Sequence, residues 1–104
     1  MVASGANAAS YQSVHWTIVD PIQNRWNGTV PGGDHAYAGA NLEPNADLSY
    51  ADLTDAYLYE ANLTAANLTG ADLNNADLRY ADLTNADLYE ANLIYADLTG
   101  VYLE

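Results

Sequence analysis

The sequence has no cysteine, no lysine and no phenylalanine, and only two arginines, three prolines and one methionine among its 104 residues. Each absence removes a class of function. Without cysteine there is no disulfide, no thiol nucleophile and no cysteine-ligated zinc, although a cysteine-free chain is compatible with either redox setting. Against two arginines stand 14 acidic residues, for a formal net charge of −12. So little positive charge excludes binding of nucleic-acid phosphates by counterion release and attraction to an anionic membrane surface. The excess acid favours solubility, basic partners or cations. No apolar run approaches the roughly 20 residues a membrane-spanning helix needs, so membrane insertion is not expected. The opening "MVASGANAAS" carries Ala6-Asn7-Ala8, a small-residue pattern like a signal-peptidase site. With no charged or apolar region before it, it reads either as a trimmed export remnant or as a plain small-residue tail. The compartment therefore stays unassigned, with an exported or extracellular location left open.

What is present falls into two parts. Residues 1–39 form a leader that holds both tryptophans, both histidines and two of the three prolines. In "YQSVHWTIV" the residues Val14, Trp16 and Ile18 alternate with Ser13, His15 and Thr17, a period of two that predicts a short strand. Asp20, Pro21 and Gly28 then stand where a helix cap, a first helical residue and a C′ glycine would stand. Ile22 and Trp26, four apart, would share one face of that helical turn. "TVPGGD" follows as a loop.

From Ala46 the chain repeats without a break in fives: ADLSY, ADLTD, AYLYE, ANLTA, ANLTG, ADLNN, ADLRY, ADLTN, ADLYE, ANLIY, ADLTG, VYLE. "ANLEP" at 40–44 is one more unit, offset by Asn45, which suggests a corner bulge after Pro44. "HAYAG" at 35–39 reads as a degenerate first unit with Tyr37 in the leucine place. An α-helix cannot use this period: at 100° per residue each repeat rotates the leucine by 140°, so no face collects them. A straight strand cannot either, because an odd period sends successive leucines to opposite faces. A chain that turns a corner once per unit can. Four short sides then close a square coil of 20 residues, and stacked coils pair about 4.8 Å apart like neighbouring strands.

The pattern A(D/N)LXX, repeated in register over about residues 40–104, resembles the pentapeptide-repeat proteins. The resemblance implies an all-β fold: a right-handed quadrilateral β-helix of about three coils, with the central Leu and the Ala-type position inward and the other three positions outward. The leucines from Leu48 to Leu103 would build four interior ladders, each buried side chain contributing about 1.5–3 kcal/mol. Coil neighbours lie 20 residues apart, so Asp52 is expected beside Asp72, Asp77 beside Asp97, and Arg79 over Tyr59 in a cation–π contact.

Candidate sites follow from the same geometry. The Asp/Asn column reads as turn chemistry, because outward carboxylates diverge and do not converge as a calcium site requires; diffuse cations could still relieve the Asp52–Asp72 and Asp77–Asp97 repulsion. His15 and His35 lack a patterned partner and read as structural or surface residues. No catalytic triad, phosphate loop, metal motif or facing acid pair can be assigned, so neither an enzyme nor a cofactor is expected. Sequons at Asn27, Asn62 and Asn67 matter only in a glycosylating export route.

Three functions remain. The first is a structural protein that associates with itself, as a dimer or an end-to-end filament, through the last coil. Leu88, Leu93, Leu98, Leu103 and Val101 would present an apolar layer there, ringed by Tyr89, Ile94, Tyr95 and Tyr102. Trp16, Ile18 and Trp26 of the leader would dock onto their own or a neighbouring coil. The second is a module that binds another protein on a flat face carrying Tyr57, Tyr59, Arg79 and Tyr80. The third is inhibition of a type II topoisomerase by DNA mimicry, which occurs among pentapeptide-repeat proteins. Charge and rod shape agree with it, but the chain is short, has no central Phe, and shows no recognisable extra loop or C-terminal dimer module.

Overall fold

The computed structural model describes residues 9–15, 18–19, 22–25 and 34–104. Trp16, Trp26 and the side chain of Ile18, expected to dock the leader, lie outside the described residues, as does "TVPGG".

From Asp47 onward the backbone bridges recur at a spacing of 20, all parallel: Asp47 with Asn67, Asp52 with Asp72, Tyr57 with Asp77, and so on to Asp82 with Tyr102. Each unit adds the same bonds. The Leu53 amide donates to the Asp72 carbonyl at 2.8 Å, the Asp72 amide to the Ala51 carbonyl at 2.8 Å, and the Asp55 amide to the Asn74 carbonyl at 2.9 Å. Sheet-like pairing thus runs along the stack while each strand is only a residue or two long, and the backbone groups of a side find partners in the coils above and below.

The corner explains the period of five. In each unit the amide of the next Ala donates back to the Leu carbonyl, as Ala51 does to Leu48 at 3.1 Å. The residue before that Ala, or before Val101 at the last corner, is left-handed, with φ from 57° at Ala65 to 70° at Gly100. A positive φ at the third residue alone marks a type II turn. The Asx residue braces it: the Oδ1 atoms of Asp47, Asp52, Asn62, Asn67, Asp72 and later members each accept the amide two residues on, at 2.9–3.3 Å. Leu and Ala are left pointing inward. Leu53 to Leu83 and Ala56 to Ala81 are sealed from solvent and form one core.

Asn45 is no bulge. It takes the corner place in step with later units: its amide donates to Thr64 O at 2.9 Å, as that of Tyr50 does to Thr69 O at 2.8 Å. The offset is absorbed upstream. Leu42 occupies the slot that Asp47 fills one unit later, bridges Tyr11, and still turns its side chain fully inward.

The leader departs from expectation in two places. Residues 11–19 are not one strand. β1 (Tyr11–Gln12) and β2 (Ile18–Val19) pair antiparallel, Tyr11 opposite Val19, and the chain turns at Val14–His15. Nor do residues 22–24 form a helical turn. β3 (Gln23–Asn24) is extended and pairs antiparallel with β4 (Ala56–Tyr57). Asp20, Pro21 and Gly28, read as caps of that turn, lie outside the described residues; Ile22 is held by long-range bonds, its amide donating to Ala9 O at 2.8 Å and its carbonyl accepting from His35 at 2.7 Å. The described leader residues therefore lie over the upper coil of their own chain. Ala9, Tyr11 and Ile22 extend the apolar core, and Tyr37 packs half-buried against it with its hydroxyl donating to Ala40 O at 2.9 Å.

Candidate functional site

The lower coil exposes the leucine ladder that the coils above hide. Leu83 is 1 % exposed, Leu98 38 % and Leu103 60 %. Leu88, Leu93 and Val101 are partly buried against the core, while Tyr89, Ile94, Tyr95 and Tyr102 stand out into solvent. The amides of Leu88, Glu90, Leu93, Tyr95, Leu98 and Gly100, whose counterparts one coil up bond to this coil, find no partner among the described residues. Among the described residues this β-layer has no neighbour on its lower side. The residues expected to form an association surface are thus brought together on one coil.

The second candidate surface also assembles. Tyr57 and Tyr59 stack with centroids 6.1 Å apart, and Tyr80 meets Tyr59 edge-on at 5.8 Å. The Arg79 guanidinium lies over the Tyr59 ring at 5.2 Å, the contact that the 20-residue spacing predicts. Arg79 also makes a two-point ion pair with the buried carboxylate of Asp77, Nε to Oδ1 and Nη2 to Oδ2, both at 2.8 Å. Donating these bonds to Asp77 holds the guanidinium even more firmly protonated than usual. Leader strand β3 pairs with the backbone of Ala56–Tyr57 at the upper margin of this face. Burial, with Asp77 beside it, pushes the Tyr57 hydroxyl pKa up.

Beside this cluster the leader and the coils border an open cleft of about 370 Å³ lined by Val14, His15, Tyr59, Glu60, Tyr80 and Tyr102. Two bonds fix its rim: the Val14 amide to Glu60 O at 2.6 Å, and His15 Nε2 to Glu60 Oε2 at 2.9 Å.

The pattern of "Pentapeptide repeats", in eight copies, matches residues 38–79 and 66–104. The chain belongs to the pentapeptide-repeat family. Its fold is the right-handed quadrilateral β-helix of that family. Among solved structures it is similar to a pentapeptide-repeat protein of the Arabidopsis thaliana thylakoid lumen, at 36 % identity and a TM-score of 0.54, over 57 % of this chain and 42 % of that one. It is also similar to HetL, a pentapeptide-repeat protein involved in heterocyst differentiation regulation in the cyanobacterium Nostoc sp. strain PCC 7120, at 38 % identity and a TM-score of 0.55, over 60 % of this chain and 29 % of that one. The chain thus spans less than half the length of either structure. No curated protein matches it.

In this pentapeptide-repeat chain the aspartates serve the corners. Each donor to Asp47, Asp52 or Asp97 is the backbone or hydroxyl group of the residue two ahead, and those bonds hold the three carboxyls below their ordinary range. Among the described residues no group of three or more His, Asp or Glu converges as a metal site. No helix among them is long and apolar enough to cross a membrane. The Asn62 sequon is tied down as well, its Oδ1 accepting the Thr64 hydroxyl at 2.7 Å and the Thr64 amide at 3.3 Å. His35 is buried and structural. Its Nδ1 accepts the Tyr37 amide at 3.0 Å, so Nε2 carries the proton and donates to Thr54 O at 2.7 Å. His15 is exposed and paired with Glu60.

Sequence reasoning found the tyrosines and Arg79 but missed Val14, His15, Glu60 and the inclusion of Tyr102 in one cleft. Part of the signal was there: Glu60 and Tyr80 are 20 residues apart and so are coil neighbours. The leader's contribution had no such rule.

Proposed function

We propose that this pentapeptide-repeat chain is a non-catalytic structural protein that associates with itself by stacking residues 84–104 on the same coil of a second copy. The observation that carries this is the lower β-layer: six amides without a partner among the described residues, around exposed Leu98 and Leu103. The surface that matches it best is another square coil, which supplies both the hydrogen bonds of an edge and an apolar ladder. A tail-to-tail pair, in which one patch meets its own copy, is favoured over head-to-tail growth. The reason is the upper end, where leader residues already bridge Leu42, Ala56, Tyr57 and Ala61 of their own coil. Sedimentation equilibrium over a wide concentration range tests it. Twice the chain mass is expected for the unaltered protein, and the single-chain mass for Leu98→Glu with Leu103→Glu, with unchanged circular dichroism. A monodisperse monomer at the highest concentration would sink the proposal.

A second reading, a partner protein bound on the face of Tyr59, Arg79 and Tyr80, is supported by the mutual ring and guanidinium contacts. Such preorganised aromatic and arginine groups are the usual anchors of an interface. Alanine at Tyr59 and Tyr80 should abolish partner capture with the fold intact; undiminished capture removes this reading.

A further inference from the structure

We infer that the cleft between leader and coils binds an organic cation, an alkylammonium or quaternary ammonium group. This rests on reading the tyrosine face as a contact surface and goes further by naming the chemistry.

The volume, about 370 Å³, falls in the range of small-ligand sites, roughly 300–1,000 Å³. Its walls include three tyrosines, Tyr59, Tyr80 and Tyr102, together with the carboxylate-bearing Glu60. Aromatic rings attract cations through their quadrupole, most strongly where several enclose the charge. A nearby carboxylate adds Coulomb attraction, and the chain's net charge of −12 raises the local concentration of any cation. An anion or a phosphate would meet the opposite field.

The cluster already accommodates one cation. Arg79 rests on the Tyr59 ring at 5.2 Å. Its charge is offset by the two-point pair with Asp77, so it does not repel a second cation with a full unit of charge. Val14 and His15 make the cleft a joint product of leader and repeat, and Glu60 is held at its rim from both sides, by the Val14 amide on its carbonyl and by His15 on its carboxylate.

The ligand group has two sources, a free quaternary amine or a lysine side chain within a peptide. The experiment separates them. Tetramethylammonium, a trimethyl-lysine peptide and an unmodified lysine peptide are titrated into the full chain, with amide shifts followed by NMR. 3,3-Dimethylbutanol, a neutral compound of similar shape to choline, serves as the control. Expected are saturable shifts at Val14, Glu60, Tyr80 and Tyr102 with at least one cation and none with the neutral control. Glu60→Gln keeps the rim hydrogen bond and removes the charge. Tyr80→Leu removes the ring, while Tyr80→Phe keeps it. Each of the first two should weaken binding about fivefold, the scale of one exposed cation–π or ion-pair contact, and Tyr80→Phe should leave it unchanged. Equal binding of the neutral control overturns the cation inference but leaves the face as an apolar contact surface. Absence of binding by all three cations overturns it too, and partner capture by the tyrosine face is then judged by the Tyr59 and Tyr80 alanine variants alone.

Discussion

Leu73 and Leu103 hold the same place in the same five-residue unit, yet Leu73 is sealed and Leu103 is 60 % exposed. The difference lies in what covers each coil. At the middle of the stack a coil lies on either side; at the upper end leader residues Ala9, Tyr11 and Ile22 take that place; at the lower coil nothing described does. The repeat specifies a direction for each side chain, inward or outward. Burial comes only from the next layer. The upper end is therefore part of a core, and the lower coil has the composition of a core without a covering layer among the described residues.

The largest expected effect tests this directly. Leu73→Ala leaves a cavity in a packed interior and should cost about 2–5 kcal/mol, read by urea denaturation. Leu103→Ala should cost less than about 1 kcal/mol in a dilute, dissociated sample, since most of its surface is already wet. If the Leu103→Ala cost rises with protein concentration toward that of Leu73→Ala, the lower coil is covered by a second copy and the proposed pairing is strengthened. Equal costs at every concentration would break the comparison itself.

How much of this was legible in sequence divides along the same line. Within the repeat, a single spacing rule placed Asp52 beside Asp72, Asp77 beside Asp97 and Arg79 over Tyr59, because each unit fixes its own corner through local bonds: the Asx brace, the type II turn and the left-handed fifth residue. The leader has no such local closure. Its backbone bonds run to Leu42, Asp55, Glu60 and Ala61, far away in sequence. The alternation across Val14, Trp16 and Ile18 concealed a chain reversal at Val14–His15, where no Gly, Pro or Asn announces a turn. The helical turn expected to include Ile22 is replaced there by the long-range pairing of Gln23 with Tyr57. The offset at Asn45 was visible, but its resolution at Leu42 depends on Tyr11, which only the fold brings near.

The leader supplies the next test. Tyr11 is 2 % exposed and donates its hydroxyl to Tyr59 O at 3.0 Å. Tyr11→Phe should cost about 0.5–1.5 kcal/mol, more if the Tyr59 carbonyl is left without a donor. Burial, and secondarily the charges of Tyr57, Asp77 and Glu60, push the Tyr11 hydroxyl pKa well up from its ordinary 10.0. The unfolded chain ionises first. The stability carried by the neutral hydroxyl is therefore complete below pH 10 and is lost progressively as pH rises through 10 toward the higher folded value. Chemical denaturation between pH 8 and 11 should show the unaltered protein losing stability above pH 10 and Tyr11→Phe losing it less steeply. Part of the slope should persist, because Tyr37 and Tyr57 are shifted the same way. Parallel slopes in the two proteins would mean that the leader does not close the upper end in solution.

The last comparison concerns the corners, where top, middle and bottom of the stack use one backbone and differ only in the residue that tolerates it. Gly70 has φ +67°, and a Cβ there would come within 2.5 Å of the Tyr50 ring one coil up. Gly70→Ala thus meets two penalties: a left-handed backbone, which costs an L-residue about 1–2 kcal/mol, and displacement of an exposed ring free to swing away at little cost. Ala65, with φ 57°, already bears the backbone penalty, so Ala65→Gly removes it. Glycine also gains freedom in the unfolded chain, which returns part of the benefit. The net expectation is a stabilisation of less than about 1 kcal/mol at Ala65, against a destabilisation of about 1–2 kcal/mol at Gly70. Thermal melts of the two variants beside the parent should move in opposite directions. Movement in the same direction would show that the corner conformation is not what sets the period of five.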